Sequence, residues 1–201
     1  MTILSDKEIT ELCDISIEGV TNPMIYPFHS ESVKRVGERK VLSFGVSSFG
    51  YDVRLANKFK IFSNVNATII DPKKFDSDCL IDAEIKKDED GSEYVILPPN
   101  SYLLGYTIET FDIPRDIMVV AVGKSTMARS GVQVNVTPIE AGFKGTVVIE
   151  IANSTLLPVK IYAGEGISQF LFFRGNQSCQ VSYADRNGKY MLQTGVQLSK
   201  V

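Results

Sequence analysis

Glu150 is a lone carboxylate in an apolar run, Val147-Val148-Ile149-Glu150-Ile151. On a strand, Val148, Glu150 and Ala152 share one face, and Val147, Ile149 and Ile151 the other. An acid so placed sits either on a solvated face or in a pocket. In a pocket, burial raises its pKa, as an acid–base catalyst near neutral pH requires. A second group is Gly123-Lys124-Ser125-Thr126 with Arg129 shortly after. It resembles the end of a Walker phosphate loop only superficially. Met118 stands where that loop needs its first glycine, and no strand-loop-helix unit surrounds it. What remains is a glycine, a lysine, two hydroxyls and an arginine entering a short helical turn. Backbone N–H groups at such a turn favour an anion, and Lys124 and Arg129 add charge beside them. The plainer alternative is a turn with Ser125 as helix N-cap. Asp52 and Arg54, in Gly50-Tyr51-Asp52-Val53-Arg54, face the same side of a strand start and are expected to pair. Tyr183 to Tyr190 carries two cations, Arg186 and Lys189, between two tyrosines. It reads as a surface tail or as an arm that closes over a charged ligand.

Metal chemistry built on His and Cys is excluded by residue supply. His29 is the single histidine, and Cys13, Cys79 and Cys179 are far apart with no Cys-x-x-Cys. Three dispersed cysteines fit reduced thiols better than a disulfide framework. A net charge of −3 argues against non-specific binding to a nucleic-acid backbone, though not against a local triphosphate pocket. Apolar runs fall well short of the ~20 residues a membrane helix needs. Acidic charge near the N-terminus, at Asp6 and Glu8, falls where a signal peptide needs its apolar core, so a cytoplasmic location is expected.

The elements that must position these residues are mostly strands. Ser5-Asp6-Lys7-Glu8-Ile9 predicts an N-cap and a short amphipathic helix to about Cys13. From Asp52 onward, alternation predicts short strands over 52–55, 58–62, 117–122, 131–136, 145–152, 159–162 and 169–173. Lys86 to Gly91 predicts a charged, solvated hairpin turn, and Pro98-Pro99-Asn100-Ser101 another break. Many short strands separated by Gly, Pro and Asn indicate an all-β sandwich or barrel. With 201 residues, 44% apolar and 22% charged, one soluble domain over 1–201 is expected.

Taken in order, these pieces resemble the dCTP deaminase family of the dUTPase-like trimeric β-fold superfamily. The resemblance rests on four segments: Ser48 to Arg54, Gly123 to Arg129, Asn135 to Gly145, and Val148-Ile149-Glu150. The implied fold is mainly β, a dUTPase-like distorted β-barrel or jelly-roll with a short N-terminal helix and a C-terminal arm over 183–201. Glu150 matches the family's proton-shuttling glutamate, Ser125 a serine that helps hold the attacking water, and Arg129 an arginine beside the pyrimidine. Lys124, Ser125, Thr126, Met127, Ala128 and Arg129, with Val148, Ile149 and Glu150, form the implied nucleotide pocket. Gln169, Tyr183, Lys189 and Gln193 match phosphate-binding positions. Glu140 stands where many relatives have an aspartate that meets the sugar. A shorter loop from Val136 to Gly142 moves the carbonyl expected near the water to Thr137 or Pro138. The resemblance also implies a homotrimer with sites between subunits, dCTP bound with Mg²⁺ through the triphosphate, and feedback inhibition by dTTP.

The implied chemistry is hydrolysis of dCTP to dUTP and ammonia, supplying dUTP for dUMP and dTMP synthesis. Zinc-type cytidine deaminases activate water on a metal held by His and Cys. This chain lacks those ligands, so a carboxylate must move the protons. The nearest rival is dUTP diphosphatase, alone or combined with deamination, using Glu140; the usual Asp-x-Asp-Tyr-type pattern is absent. A non-catalytic nucleotide-binding β-domain is the remaining alternative, and it gives no reason for Glu150.

Overall fold

The computed structural model describes residues 1–135 and 137–200. Val136, at the end of the strand expected over 131–136, and Val201, the last residue of the expected arm, lie outside the described residues. Over the described residues the chain is mainly β, in three antiparallel sheets. The first runs in the order Thr137–Ile139, Ile117–Gly123, Gly166–Arg174, Gly50–Arg54, Arg39–Ser47, Val33–Val36, with Thr2–Ile3 also on Gly166–Arg174. The second runs Val132–Val134, Lys144–Asn153, Tyr102–Asp112, Lys60–Phe62, Leu80–Asp82, with Ile25–Tyr26 on Tyr102–Asp112. A small third sheet joins Val159–Tyr162, Glu93–Leu97 and Lys86–Lys87. These strand orders are open, so the expected barrel is not a single closed sheet.

Period-two patterning explains how the sheets close on one core. Ile117, Val119 and Ala121 alternate inward on one strand, and Val147, Ile149 and Ile151 on another. They meet Tyr51, Val53, Phe170 and Phe172 in one continuous cluster. The N-terminal helix is capped as the sequence predicts: the Ser5 backbone N–H donates to Glu8 Oε2 (3.0 Å), while Ser5 Oγ accepts from the Glu8 N–H. It spans only Asp6–Glu11, two residues short of Cys13. Residues 86–91 form the expected hairpin, closed by the Asp88 N–H to the Ser92 carbonyl (2.9 Å).

The expected Asp52–Arg54 pair does not form. Asp52 is ion-paired with Lys124, while Arg54 Nε donates to Glu109 Oε1 at 2.8 Å. Both carboxylates are buried, and a buried charge needs a close partner. Strand order supplies two different ones, Lys124 after the Ile117–Gly123 strand and Glu109 on Tyr102–Asp112. The segment 137–139, expected inside a loop, is a short strand on Ile117–Gly123.

Candidate active site

Glu150 projects from the strand Lys144–Asn153, which pairs with Tyr102–Asp112 in a register that places Leu104 opposite it. The buried face of that strand goes to the core; Val148, Glu150 and Ala152 occupy the other face, half-buried. Above this second face lies a cavity of about 500 Å³. Glu150 lines it with Thr137, Pro138, Glu140, Phe143 and Val148, and the C-terminal segment contributes Tyr183, Tyr190 and Gln193. Burial raises the Glu150 carboxyl above its ordinary value, and a backbone hydrogen bond offsets part of that rise.

The C-terminal arm folds back onto its own chain to make one wall. Gln193 Nε2 donates to the Thr146 carbonyl (2.7 Å), and the Gln193 carbonyl accepts from the Thr146 N–H (3.0 Å). The Tyr190 N–H donates to the Tyr183 hydroxyl (3.1 Å), and the Tyr183 ring packs on Phe143. Arg186 is ion-paired with Glu140, so the carboxylate expected to meet a sugar is held by the arm. At the root of the arm, Arg115 Nη2 donates to Asp185 Oδ2 (2.7 Å), and that contact, with bonds from Ser182, holds the Asp185 carboxyl down at about 2.

Of the residues singled out by sequence, Thr137, Pro138, Glu140, Val148, Glu150, Tyr183 and Gln193 come together here. A second cluster lies elsewhere. Ser125–Arg129 forms one helical turn, with Lys124 rather than Ser125 at the N-cap and no side-chain cap bond. Lys124 is committed to Asp52, whose carboxyl burial pushes up while the lysine pulls it back. Gln169 pairs in register with Asp52 and Val122, and its Nε2 donates to Ser47 Oγ (2.9 Å). Ser125, Thr126, Ala128 and Arg129 are exposed. Met127 and Ile149 are packed into the core, so their side chains are withdrawn from any ligand. Lys189 Nζ donates to the Lys200 carbonyl (2.8 Å) within the arm. Sequence reasoning missed the aromatic wall of the cavity, Phe62, Phe75 and Tyr102, because these residues come from separate segments without a shared motif.

Donors for a transition metal are dispersed. His29 packs edge-on against Phe44, Cys13 and Cys79 line different surface grooves, and among the described residues no three His, Cys, Asp or Glu side chains gather as ligands. A divalent cation carried on nucleotide phosphates needs no such cluster.

An antiparallel β-fold thus presents one half-buried carboxylate, Glu150, to a cavity walled in part by the chain's own C-terminal segment. A family model described as dCTP deaminase-like matches residues 3–175, and the chain belongs to that family. It is 56% identical to a dCTP deaminase of Pelagibacter ubique over 201 residues, covering 100% of both chains. It is 50% identical to a dCTP deaminase of Rickettsia bellii over 198 residues, covering 98% of both. A crystal structure of the 2′-deoxycytidine 5′-triphosphate deaminase from Agrobacterium tumefaciens shares the fold, with a TM-score of 0.56 at 19% identity. That match covers 86% of this chain, which spans 48% of the other chain's length.

Proposed function

We propose that this chain deaminates dCTP hydrolytically to dUTP and ammonia, with Glu150 as the group that moves the protons. The observation that carries this reading is the half-buried Glu150 carboxylate lining a cavity of about 500 Å³, in the range that holds small ligands. Membership of the dCTP deaminase-like family supports the substrate. In outline, ionised Glu150 takes a proton from water, and the resulting hydroxide attacks C4 of the pyrimidine. That proton passes to N3; Glu150 then takes the proton of the new C4 hydroxyl and gives it to the exocyclic amine, and collapse to the C4 carbonyl breaks the C4–N4 bond and frees ammonia. General acid–base transfer of this kind contributes roughly 10²–10⁴-fold, and positioning and fixed dipoles supply the rest.

In this reading the site is completed between copies in a homotrimer. Within one chain Ser125 and Arg129 are exposed and lie outside the lining of the Glu150 cavity. A neighbouring copy that brings its Lys124–Arg129 turn to this cavity supplies the serine that holds water and the arginine that orients the carboxylate. Gln169 extends that turn toward the phosphates. Mg²⁺ enters with the triphosphate as part of the substrate, dTTP competes at the same site as feedback inhibitor, and the enzyme works in the cytoplasm on the nucleotide pool, feeding dUMP and dTMP synthesis.

Incubation with dCTP and Mg²⁺, resolving dUTP, dUMP and ammonia, tests the reading. Equal amounts of dUTP and ammonia are expected. Pyrophosphate and dUMP beside ammonia would show a bifunctional enzyme using Glu140. Tight dCTP binding without ammonia would reduce the chain to a binding module.

A further inference from the structure

Tyr102 shares the cavity wall with Glu150 and has no part in the mechanism above. In the register it stands opposite Ala152, one same-face step along from the Leu104–Glu150 pair. Diagonal neighbours of this kind lie within reach of long side chains. The ring is fixed: it packs edge-on to Phe62 with centroids 5.5 Å apart, and Phe62 packs edge-on to Phe75 at 6.2 Å.

Its hydroxyl is also fixed. Asn135 Nδ2 donates to the Tyr102 oxygen, and the Asn135 backbone N–H donates to the Glu150 carbonyl at 3.0 Å. One residue therefore ties the phenol to the backbone of the catalytic position. A phenol that accepts from an amide keeps its own hydrogen to give. Elsewhere in the cavity, Glu140 is held by Arg186 and the Gln193 amide nitrogen by the Thr146 carbonyl, while the Tyr183 and Tyr190 hydroxyls accept from the Tyr190 and Lys200 N–H groups and so brace the C-terminal arm. Burial and the nearby Glu150 charge both push the Tyr102 phenol up, which keeps it protonated and places the carboxylate within electrostatic reach.

We propose that Tyr102 is a positioning residue for Glu150: oriented by Asn135, its hydroxyl donates a hydrogen bond to the Glu150 carboxylate and holds it in the rotamer that meets water and the leaving amine. This deepens the deaminase reading and rests on it.

The test is a double-mutant cycle on ammonia release from dCTP with Mg²⁺: wild type, Tyr102→Phe, Asn135→Ala and both together, each with its melting temperature. Loss of a hydrogen bond to a charged group in Tyr102→Phe lowers kcat about tenfold and leaves KM within about twofold. Asn135→Ala lowers kcat less, and adds nothing in the Tyr102→Phe background, because its effect runs through the phenol. Unchanged kcat in Tyr102→Phe, a loss confined to KM, or single effects that multiply in the double variant overturns the proposal. Should Tyr102→Phe melt early, the exposed Asn135 decides: a lower kcat at unchanged melting temperature supports the role, and an unchanged kcat overturns it. Wild-type protein that releases no ammonia defeats the deaminase reading itself, whereas active wild type with indifferent variants defeats only the role of Tyr102.

Discussion

Gly145 and Gln193 lie side by side in an isolated parallel bridge, so close that a Cβ on Gly145 would stand 2.8 Å from the Gln193 carbonyl oxygen and 2.9 Å from its nitrogen. Gly145 also adopts φ 132°, in the region that glycine tolerates and other residues do not. The arm can dock only because this position has no side chain. Gly145→Ala is therefore expected to lift the arm off the sheet at a cost on the order of 1–3 kcal/mol. With the arm forming one wall of the cavity, KM for dCTP rises by about tenfold or more, and limited proteolysis cuts the arm faster. Unchanged KM and unchanged cleavage would show that the arm is not part of the site.

Glu150 gives a pH prediction whose sign follows from burial. Its folded-state pKa lies above the ordinary 4.5 because desolvation disfavours the charged form. Once ionised, at pH above that raised value, it costs the fold stability; the cost shrinks as pH falls through the raised value and is gone below the ordinary one, where the carboxyl is protonated in both states. Glutamine stays neutral throughout. Glu150→Gln thus raises the melting temperature at pH 7 to 8, and the gain shrinks as pH approaches the ordinary value of 4.5. A gain that grows on acidification would contradict the assigned burial.

The Arg54–Glu109 pair is a separate stability element. The Glu109 side chain is fully buried and accepts from the Arg54 backbone N–H (3.0 Å) as well as from Nε. Burial pushes its carboxyl up while Arg54 pulls it back. Removing one partner leaves the other charge buried alone, which costs about 3–5 kcal/mol. Glu109→Ala should lose stability on that scale in urea unfolding, and a loss under about 1 kcal/mol would place it among ordinary surface substitutions.

Zinc dependence is a further check. Stripping the protein with a strong chelator and restoring only Mg²⁺ is expected to leave deamination intact, because the histidine and the cysteines are dispersed through the fold. Activity that returns only on adding zinc would defeat the carboxylate mechanism.

What the sequence made legible is local. Alternation along 147–151 is enough to put Glu150 on the face opposite Val147, Ile149 and Ile151, and Ser5 with Glu8 is enough to cap the first helix. What it concealed depends on strand order. Asp52 and Arg54 share a face, yet each finds its partner on a strand or turn far along the chain. The aromatic wall of Phe62, Phe75 and Tyr102 joins three segments that carry no common motif. Thr137–Ile139 becomes a strand because Ile117–Gly123 offers it an edge, a choice invisible in the local residues. The sequence motifs group Ser125 and Arg129 with Glu150, but within a single chain the two lie outside the lining of the Glu150 cavity.

In the proposed reaction the Glu150 carboxylate carries the proton traffic of deamination. The most direct test is ammonia release from dCTP and Mg²⁺ by Glu150→Gln, beside nucleotide binding measured on the same preparation. Binding should persist while turnover falls by at least roughly 10²–10⁴-fold, the share of general acid–base catalysis. A variant that binds dCTP and still turns it over at a near-normal rate would contradict the account.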